Sequence, residues 1–530
     1  MSARFVPRGP AWLVHMAMMA AFLGPALTVA AQSRAESPRV GTPPPPNWER
    51  QWNGVYGPQD AAGRIAPPGF TVLNPRANMD DLVIPLLTPW ARARYEATEL
   101  DVDDPGEVCR PTGLQAAHAQ RGFTLVASPG RLTLIGDGVD TAAIRRIYFN
   151  RGHLKNPPLN YWGDSVGHWA GDTLVIDTIG FTDKTLLTLG GARHSTDLHI
   201  VERWRFVANG EYLEKDWIVD DPQALKAPYH LTRYHKKLPA DARMGENPCL
   251  DTPANRRAWV ELRNDGIRDR AERRAAAAKA LAEAKASAGE DRAMKRAHLT
   301  EVGFLMAALL APPNVVAQSG RTAPDFTGVY DLVPGGTLMP GRLRNDGSPE
   351  ALELLPDAAA VAKSRDLSLD TAKDCQVIGT FRMMAHEGNR IDILPWLTNG
   401  RVIMLFEDHM LGHWREIALD KPHDSTLEPS WMGNSVGRFE GDTLVVETIG
   451  FNEYIWLNSL GAPHSDALKL TERYRFVAGG EYLELRMTAE DPKVLKRPYT
   501  YTRYYQRSQR EMQEYVCTDG LIDEPIPGIP

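Results

Sequence analysis

The chain has 530 residues, of which 43% are hydrophobic and 24% charged, and a net charge of -7. That length exceeds one ordinary core, and that composition excludes wholesale disorder. The acidic balance leaves no basic surface for a nucleic-acid partner, a mean hydropathy of -0.34 excludes a multi-span membrane protein, and four cysteines exclude a disulfide-built miniprotein.

Residues 1–31 read as a secretory signal peptide. Arg4 and Arg8 supply the positive start, an apolar run follows from Ala11 to Val29, and Val29 and Ala31 precede a cut before Gln32. The competing reading is a membrane anchor. Gly24 and Pro25 interrupt the run, so no stable membrane span is expected. The expected location is the periplasm or the exterior.

A first domain is expected over residues 45–253, and its periodicity is mostly two. Leu198, Ile200, Glu202, Trp204 and Phe206 alternate with His199, Val201, Arg203, Arg205 and Val207. Asn209-Gly210 then supplies a tight hairpin turn, because both residues tolerate positive φ. If Ala208 pairs with Glu211, Phe206 faces Leu213, Trp204 faces Lys215 and Glu202 faces Trp217. Trp169 through Phe181 reads as strand, Gly-Asp turn, strand. One short helix is expected after Pro89, and another after Pro356.

Residues 254–297 form an alanine-rich linker carrying twelve Lys/Arg against seven Asp/Glu, which reads as a solvated helix. Residues 294–317 look like a second export signal. Met294-Lys-Arg opens it, Gly303 to Ala311 is apolar, and Ala317 precedes Gln318. Such a stretch is too short to span a bilayer. It is read as the retained signal of a second exported protein fused behind the first. A buried linker helix is the other reading, and Glu301 is atypical of a signal.

The second domain, 322–530, repeats the first. Gly163-Asp-Ser-Val-Gly to Gly180-Phe181 returns as Gly433-Asn-Ser-Val-Gly to Gly450-Phe451, at an offset of 270 residues that holds without gaps to Tyr234 and Tyr504. So long a period means duplicated domains rather than a solenoid. The same register puts Glu472 opposite Met487. Each copy carries two cysteines, Cys109 with Cys249 and Cys375 with Cys517, so one disulfide per domain is expected. The fold class is all-β: two homologous antiparallel β-barrel or sandwich domains of lipocalin-like form, joined by a helical linker.

Glu202 and Glu472 fall on the apolar face, where a carboxylate loses hydration. They read as polar anchors or general acids and bases, or else as members of ion pairs with an inward cation such as Lys215. Of the histidines in and just before the gapless block, His194 persists as His464 and His153 aligns with His423. His153, His194 and Glu202, with His423, His464 and Glu472, are therefore the candidate catalytic set. No H-x-H or H-E-x-x-H spacing is present, so no metal is expected. Gly163-x-Ser165-x-Gly167 and Gly433-x-Ser435-x-Gly437 match a nucleophile elbow in letters but lead into a strand instead of a helix. Asp172 and Asp442 read as turn residues, as do Asp221-Pro222 and Asp491-Pro492. No phosphate loop, dinucleotide fingerprint or haem-attachment motif occurs, and no cofactor is expected.

The combination S-V-G-x-x-x-G-D-T-L-V, T-I-G-F, H-S, E-R-[WY]-R-F and D-P resembles a tandem copy of an uncharacterised family of exported bacterial β-rich proteins. The resemblance covers most of both halves and implies no activity. Asp164 and Arg193 stand where the second copy has Asn434 and Pro463. The expected function is binding of a small, partly apolar ligand, with Trp204, Trp217, Tyr474 and Met487 supplying contact area. The alternatives are a periplasmic hydrolase, lyase or isomerase using the retained His and Glu, and an envelope structural or interaction protein.

Overall fold

The computed structural model describes residues 48, 50–54, 79–98, 100, 104–105, 110–113, 122–136, 144–239, 324–374, 376–386, 390–396, 400–407, 414–424, 426 and 428–514. Both signal-like segments, the linker and all four cysteines, with their expected disulfides, lie outside the described residues.

Two nine-stranded closed barrels follow one another. The first comprises β1 (Arg50–Gly54), β2 (Phe123–Ser128), β3 (Arg131–Gly136), β4 (Ile144–Tyr148), β5 (Asp164–Ala170), β6 (Thr173–Ile179), β7 (His199–Val207), β8 (Tyr212–Asp220) and β9 (Tyr229–Lys237). The second comprises β10 (Gly328–Leu332), β11 (Arg390–Trp396), β12 (Arg401–Glu407), β13 (Trp414–Leu419), β14 (Asn434–Glu440), β15 (Thr443–Ile449), β16 (Lys469–Val477), β17 (Tyr482–Glu490) and β18 (Tyr499–Arg507). Each strand pairs with its chain neighbour, and β1–β9 and β10–β18 close the rings.

The expected antiparallel order holds except at one joint per barrel. After Tyr148 the chain crosses over before entering β5, so β4 and β5 run parallel, and β13 and β14 do the same. Only Ile147↔Ser165 and Tyr148↔Val166 register across the first of these joints. It is the weakest seam of its barrel, since parallel pairing needs a crossover and binds slightly less well per residue.

The β7–β8 register is the expected one. Phe206 faces Leu213, Trp204 faces Lys215 and Glu202 faces Trp217, while Glu472 faces Met487 in β16–β17. The connecting turn is wider than a two-residue hairpin. Val207 pairs with Tyr212, and Ala208 joins Asn209 and Gly210 at positive φ. Glycine and asparagine adopt that conformation cheaply, and alanine is carried along by the closed hairpin. Gly171-Asp172 and Gly441-Asp442 form the expected two-residue turns, with Ala170↔Thr173 and Glu440↔Thr443 closing them.

Short helices cap the barrels. In the first, α1 (Met79–Val83) and α2 (Pro89–Glu96) bring Val83, Leu87 and Ala91 onto Trp217, Val219 and Leu231. Pro89 opens α2, and the Thr88 hydroxyl accepts from Ala91 N at 3.3 Å. In the second, α3 (Pro356–Ser364) begins at the expected proline, and α4 (Gly379–Met383) buries Phe381 beneath the Tyr501 and Tyr505 rings. Those hydroxyls donate to Phe381 O and Met384 O at 2.7 and 3.0 Å. No helix among the described residues is long and apolar enough to cross a membrane.

The repeated H-S and D-P motifs form one device. Asp221 accepts from Ser195 N and Ser195 Oγ at 2.6 and 2.8 Å, and Asp491 accepts from Ser465 N and Oγ, both at 2.7 Å. A loop is thereby pinned to the turn after β8 or β17. The barrels pack side against side. Val126, Ile135 and Ile144 of the first meet Leu394, Ile403, Leu405 and Met512 of the second, flanked by an Arg131–Asp392 ion pair at 2.5 Å.

Gly433 of the serine motif and Gly441 of the following turn are structural. Gly433 has φ +72°, and an added Cβ would come within 2.8 Å of Phe451 and Thr448. Gly441 has φ +67° with open space around it. Gly441→Ala is expected to cost about 1 kcal/mol and Gly433→Ala about 2–4 kcal/mol in urea unfolding. Equal losses would show that the space beside Gly433 yields freely.

Candidate functional site

Inward positions on β4–β8 build a polar layer across the middle of barrel one. On β7, Ile200 and Trp204 lie in separate apolar clusters with Glu202 between them; on β8, Leu213 and Trp217 flank Lys215 in the same way. Glu202 is fully buried. Arg145 of β4 donates through Nη2 to Glu202 at 2.5 Å and Thr178 at 2.8 Å, and through Nε to Ser165 at 3.0 Å. Trp204 Nε1 donates to the second Glu202 oxygen at 3.0 Å. The compensating cation is therefore Arg145, a planar fork suited to carboxylates, and not Lys215. Ser165 serves this network as an acceptor.

Lys215 is 3% exposed. Its Nζ lies 4.6, 4.3 and 5.5 Å from the ring centroids of Phe123, Trp204 and Trp217, and it makes no hydrogen bond among the described residues. Burial pushes its ammonium down to about 7; Glu202 opposes that shift and Arg145 adds to it. His235, stacked edge-on against Phe123 at 4.8 Å, is held well below the usual imidazole range by burial, then by Lys215 and Arg233. Its Nδ1 finds no partner among the described residues.

Barrel two keeps the pair and changes its surroundings. Arg415 of β13 donates through Nη2 to both Glu472 oxygens at 2.8 and 2.9 Å, and the Tyr474 hydroxyl donates to Glu472 at 2.5 Å. Lys215, Trp217 and His235 become Leu485, Met487 and Tyr505, so the interior forms one continuous apolar cluster. The Nε and Nη1 of Arg415 are buried and find no acceptor among the described residues. Burial works against this cation, but Glu472 and Tyr474 outweigh it and its pKa rises.

The candidate histidines do not join these interiors. His153 sits on the outer face of β5–β6, with Nδ1 3.0 Å from Asp164 and Nε2 2.9 Å from Asp177. Burial opposes its charge, yet the two aspartates raise its pKa to about 9. His423 meets Asn434 and Glu447 at 2.8 and 3.2 Å. His194 is buried between Thr185 Oγ1 at 2.6 Å and Ser195 O at 2.8 Å; His464 lies between Asn452 O and Ser465 O. Thr178 faces inward beside Arg145 while Asp177 faces outward, so His153 and Glu202 lie on opposite faces of β6. His194 and Glu202 share no partner. Trp204, Trp217, Tyr474 and Met487 all point inward, none more than 2% exposed. Among the described residues no group of His, Cys, Asp and Glu is arranged to hold a metal.

Sequence reasoning passed over Arg145 and Arg415. The offset of 270 relates them, but they lie upstream of the gapless block, where the copies match weakly.

No family model matches the sequence, and no curated protein matches it either. Among solved structures, the chain is similar to the crystal structure of Echinococcus granulosus fatty-acid-binding protein 1, at 10% identity over 34% of this chain and 96% of that one, with a TM-score of 0.19.

Two pH effects follow. Lys215 titrates near 7 in the folded chain and near 10.5 unfolded, so the unfolded state binds more protons between those values and stability rises with pH across that window. Lys215→Leu is expected to raise stability by a few kcal/mol at pH 7, and by progressively less towards pH 10.5, in urea titrations. His153 behaves oppositely. Its contribution is complete below about 6.5 and lost as pH rises through about 9. His153→Gln should cost about 1–2 kcal/mol at pH 6 and clearly less at pH 10, measured the same way.

Proposed function

We propose that this is an exported protein whose two barrels each hold a small, partly apolar ligand, anchored at one end by an acceptor oxygen of a carboxylate or carbonyl. The observation that carries this reading is Arg415. A guanidinium this deep leaves two nitrogens, Nε and Nη1, without acceptors among the described residues, each unmade bond costing about 1–3 kcal/mol. Tyr474, Leu485, Met487, Tyr501 and Tyr505 surround it with aromatic and aliphatic wall. An elongated molecule with one acceptor end matches that combination. In barrel one the ammonium of Lys215 takes the anchoring role.

The anchors are the cations and not the glutamates, because Arg145 and Arg415 already neutralise Glu202 and Glu472. Support for export comes from residues 1–31 and from the second signal-like segment. The alternative of histidine acid/base chemistry has less support, since His153, His194 and Glu202 are each held by different partners.

The test begins with full-length protein made in a bacterium with a periplasm and recovered by fractionation. Native mass spectrometry of the periplasmic fraction should show a co-purified small molecule, and calorimetric titration with dodecanoate should show one equivalent per barrel. Arg415→Lys keeps the charge but removes the fork, so it should lower the thermal midpoint and, in chain shown by circular dichroism to be folded, weaken one of the two sites at least about tenfold while leaving the other unchanged. Binding at the Lys215 site should weaken as pH rises above about 7, as the ammonium is lost. A chain confined to the cytoplasm defeats the export reading. A chain that carries no small molecule and binds no dodecanoate defeats the ligand reading.

A further inference from the structure

We propose that barrel one captures carbonyl compounds: Lys215, ringed by Phe123, Trp204 and Trp217 in the barrel interior, condenses with an aldehyde or ketone bearing an apolar tail to form an imine. The inference rests on the reading that barrel one admits a small, partly apolar ligand, and it adds that ligand's reacting group.

The duplicated barrel supplies the first argument. Trp204↔Lys215 in β7–β8 corresponds to Tyr474↔Leu485 in β16–β17, and Leu485 is fully buried in a continuous apolar cluster. The barrel closes without a cation at this position. A buried ammonium is costly to folding, so packing does not account for it. By contrast, the Arg–Glu pair is kept in both copies and belongs to the scaffold.

The second argument is that Lys215 is uncommitted. Arg145 occupies Glu202, and the lysine makes only ring contacts among the described residues. The third is that an amine desolvated in this way keeps its lone pair available near neutrality, whereas exposed lysines stay protonated. Arg145 nearby adds to that effect and Glu202 moderates it.

The chemistry balances without a co-reactant. The Nζ lone pair attacks the carbonyl carbon, the C=O electron pair moves to oxygen, and a proton passes from nitrogen to that oxygen. The carbinolamine then loses its hydroxyl and the remaining N–H proton as water, leaving C=N. One amine and one carbonyl give one imine and one water, with nothing oxidised or reduced. Aromatic walls that exclude water favour the dehydrated product.

The test incubates full-length protein near neutral pH with decanal and sodium cyanoborohydride, which fixes the imine, and maps adducts by peptide mass spectrometry. Lys215 should be labelled at least about tenfold faster than the exposed Lys469 and Lys493. The parent chain should bind decanol by native mass spectrometry, and Lys215→Leu, which introduces the residue the twin barrel carries, should abolish the adduct while Lys469 and Lys493 are labelled as before. If decanol binds but Lys215 is labelled no faster than the surface lysines, carbonyl capture is wrong and ligand binding stands. If decanol does not bind and Lys215 is not labelled, both readings of barrel one fail.

Discussion

Each barrel hangs on one buried arginine. The joint between β4 and β5 is parallel and registers only two residue pairs, too few to hold a ring closed by backbone alone. Arg145 spans it from inside, reaching Ser165 on β5, Thr178 on β6 and Glu202 on β7. Arg415 reaches across the equivalent joint to Glu472. A charge pair taken out of water is worthwhile only when its hydrogen bonds are well made, and in barrel one the planar guanidinium makes them to three strands at once. Glu202 and Glu472 face the core because the clamp needs them there.

The duplication separates scaffold from content. Both copies keep the Arg–Glu clamp, the Ser165–Thr178 and Ser435–Thr448 contacts at 3.0 Å, and the serine–aspartate pin between loop and turn. They diverge inside. Lys215, Trp217 and His235 give barrel one two apolar clusters with a polar layer between them; Leu485, Met487 and Tyr505 give barrel two a single cluster. The two interiors thus differ in polarity on one scaffold.

The barrels are also mechanically joined. The Arg131–Asp392 pair and the apolar contact among Ile135, Leu394 and Met512 lock outer strand faces together. After β18, Glu511 reaches back to Arg151 at 3.1 Å, and Glu514 accepts from the backbone N–H groups of Tyr161 and Trp162. Arg151 in turn holds Asp164, so the tail of the second barrel braces the outer face where His153 sits.

The sequence alone determined the duplication, the strand register of β7–β8 and β16–β17, the Gly171-Asp172 and Gly441-Asp442 turns and the inward glutamates. Those features are local: period-two alternation and glycine placement act over a few residues and leave their trace in the chain order. The partner of Glu202 was decided only by tertiary structure, because Arg145 lies 57 residues away across a crossover that no periodicity records. The separation of His153 from Glu202 was decided in the same way. Adjacent β6 residues, Asp177 and Thr178, take opposite faces, and closing the ring turns one face into solvent and the other into core. Lys215 was visible as an inward residue from the start. Its isolation among three rings, and hence its chemistry, emerged only once Arg145 had claimed the carboxylate beside it.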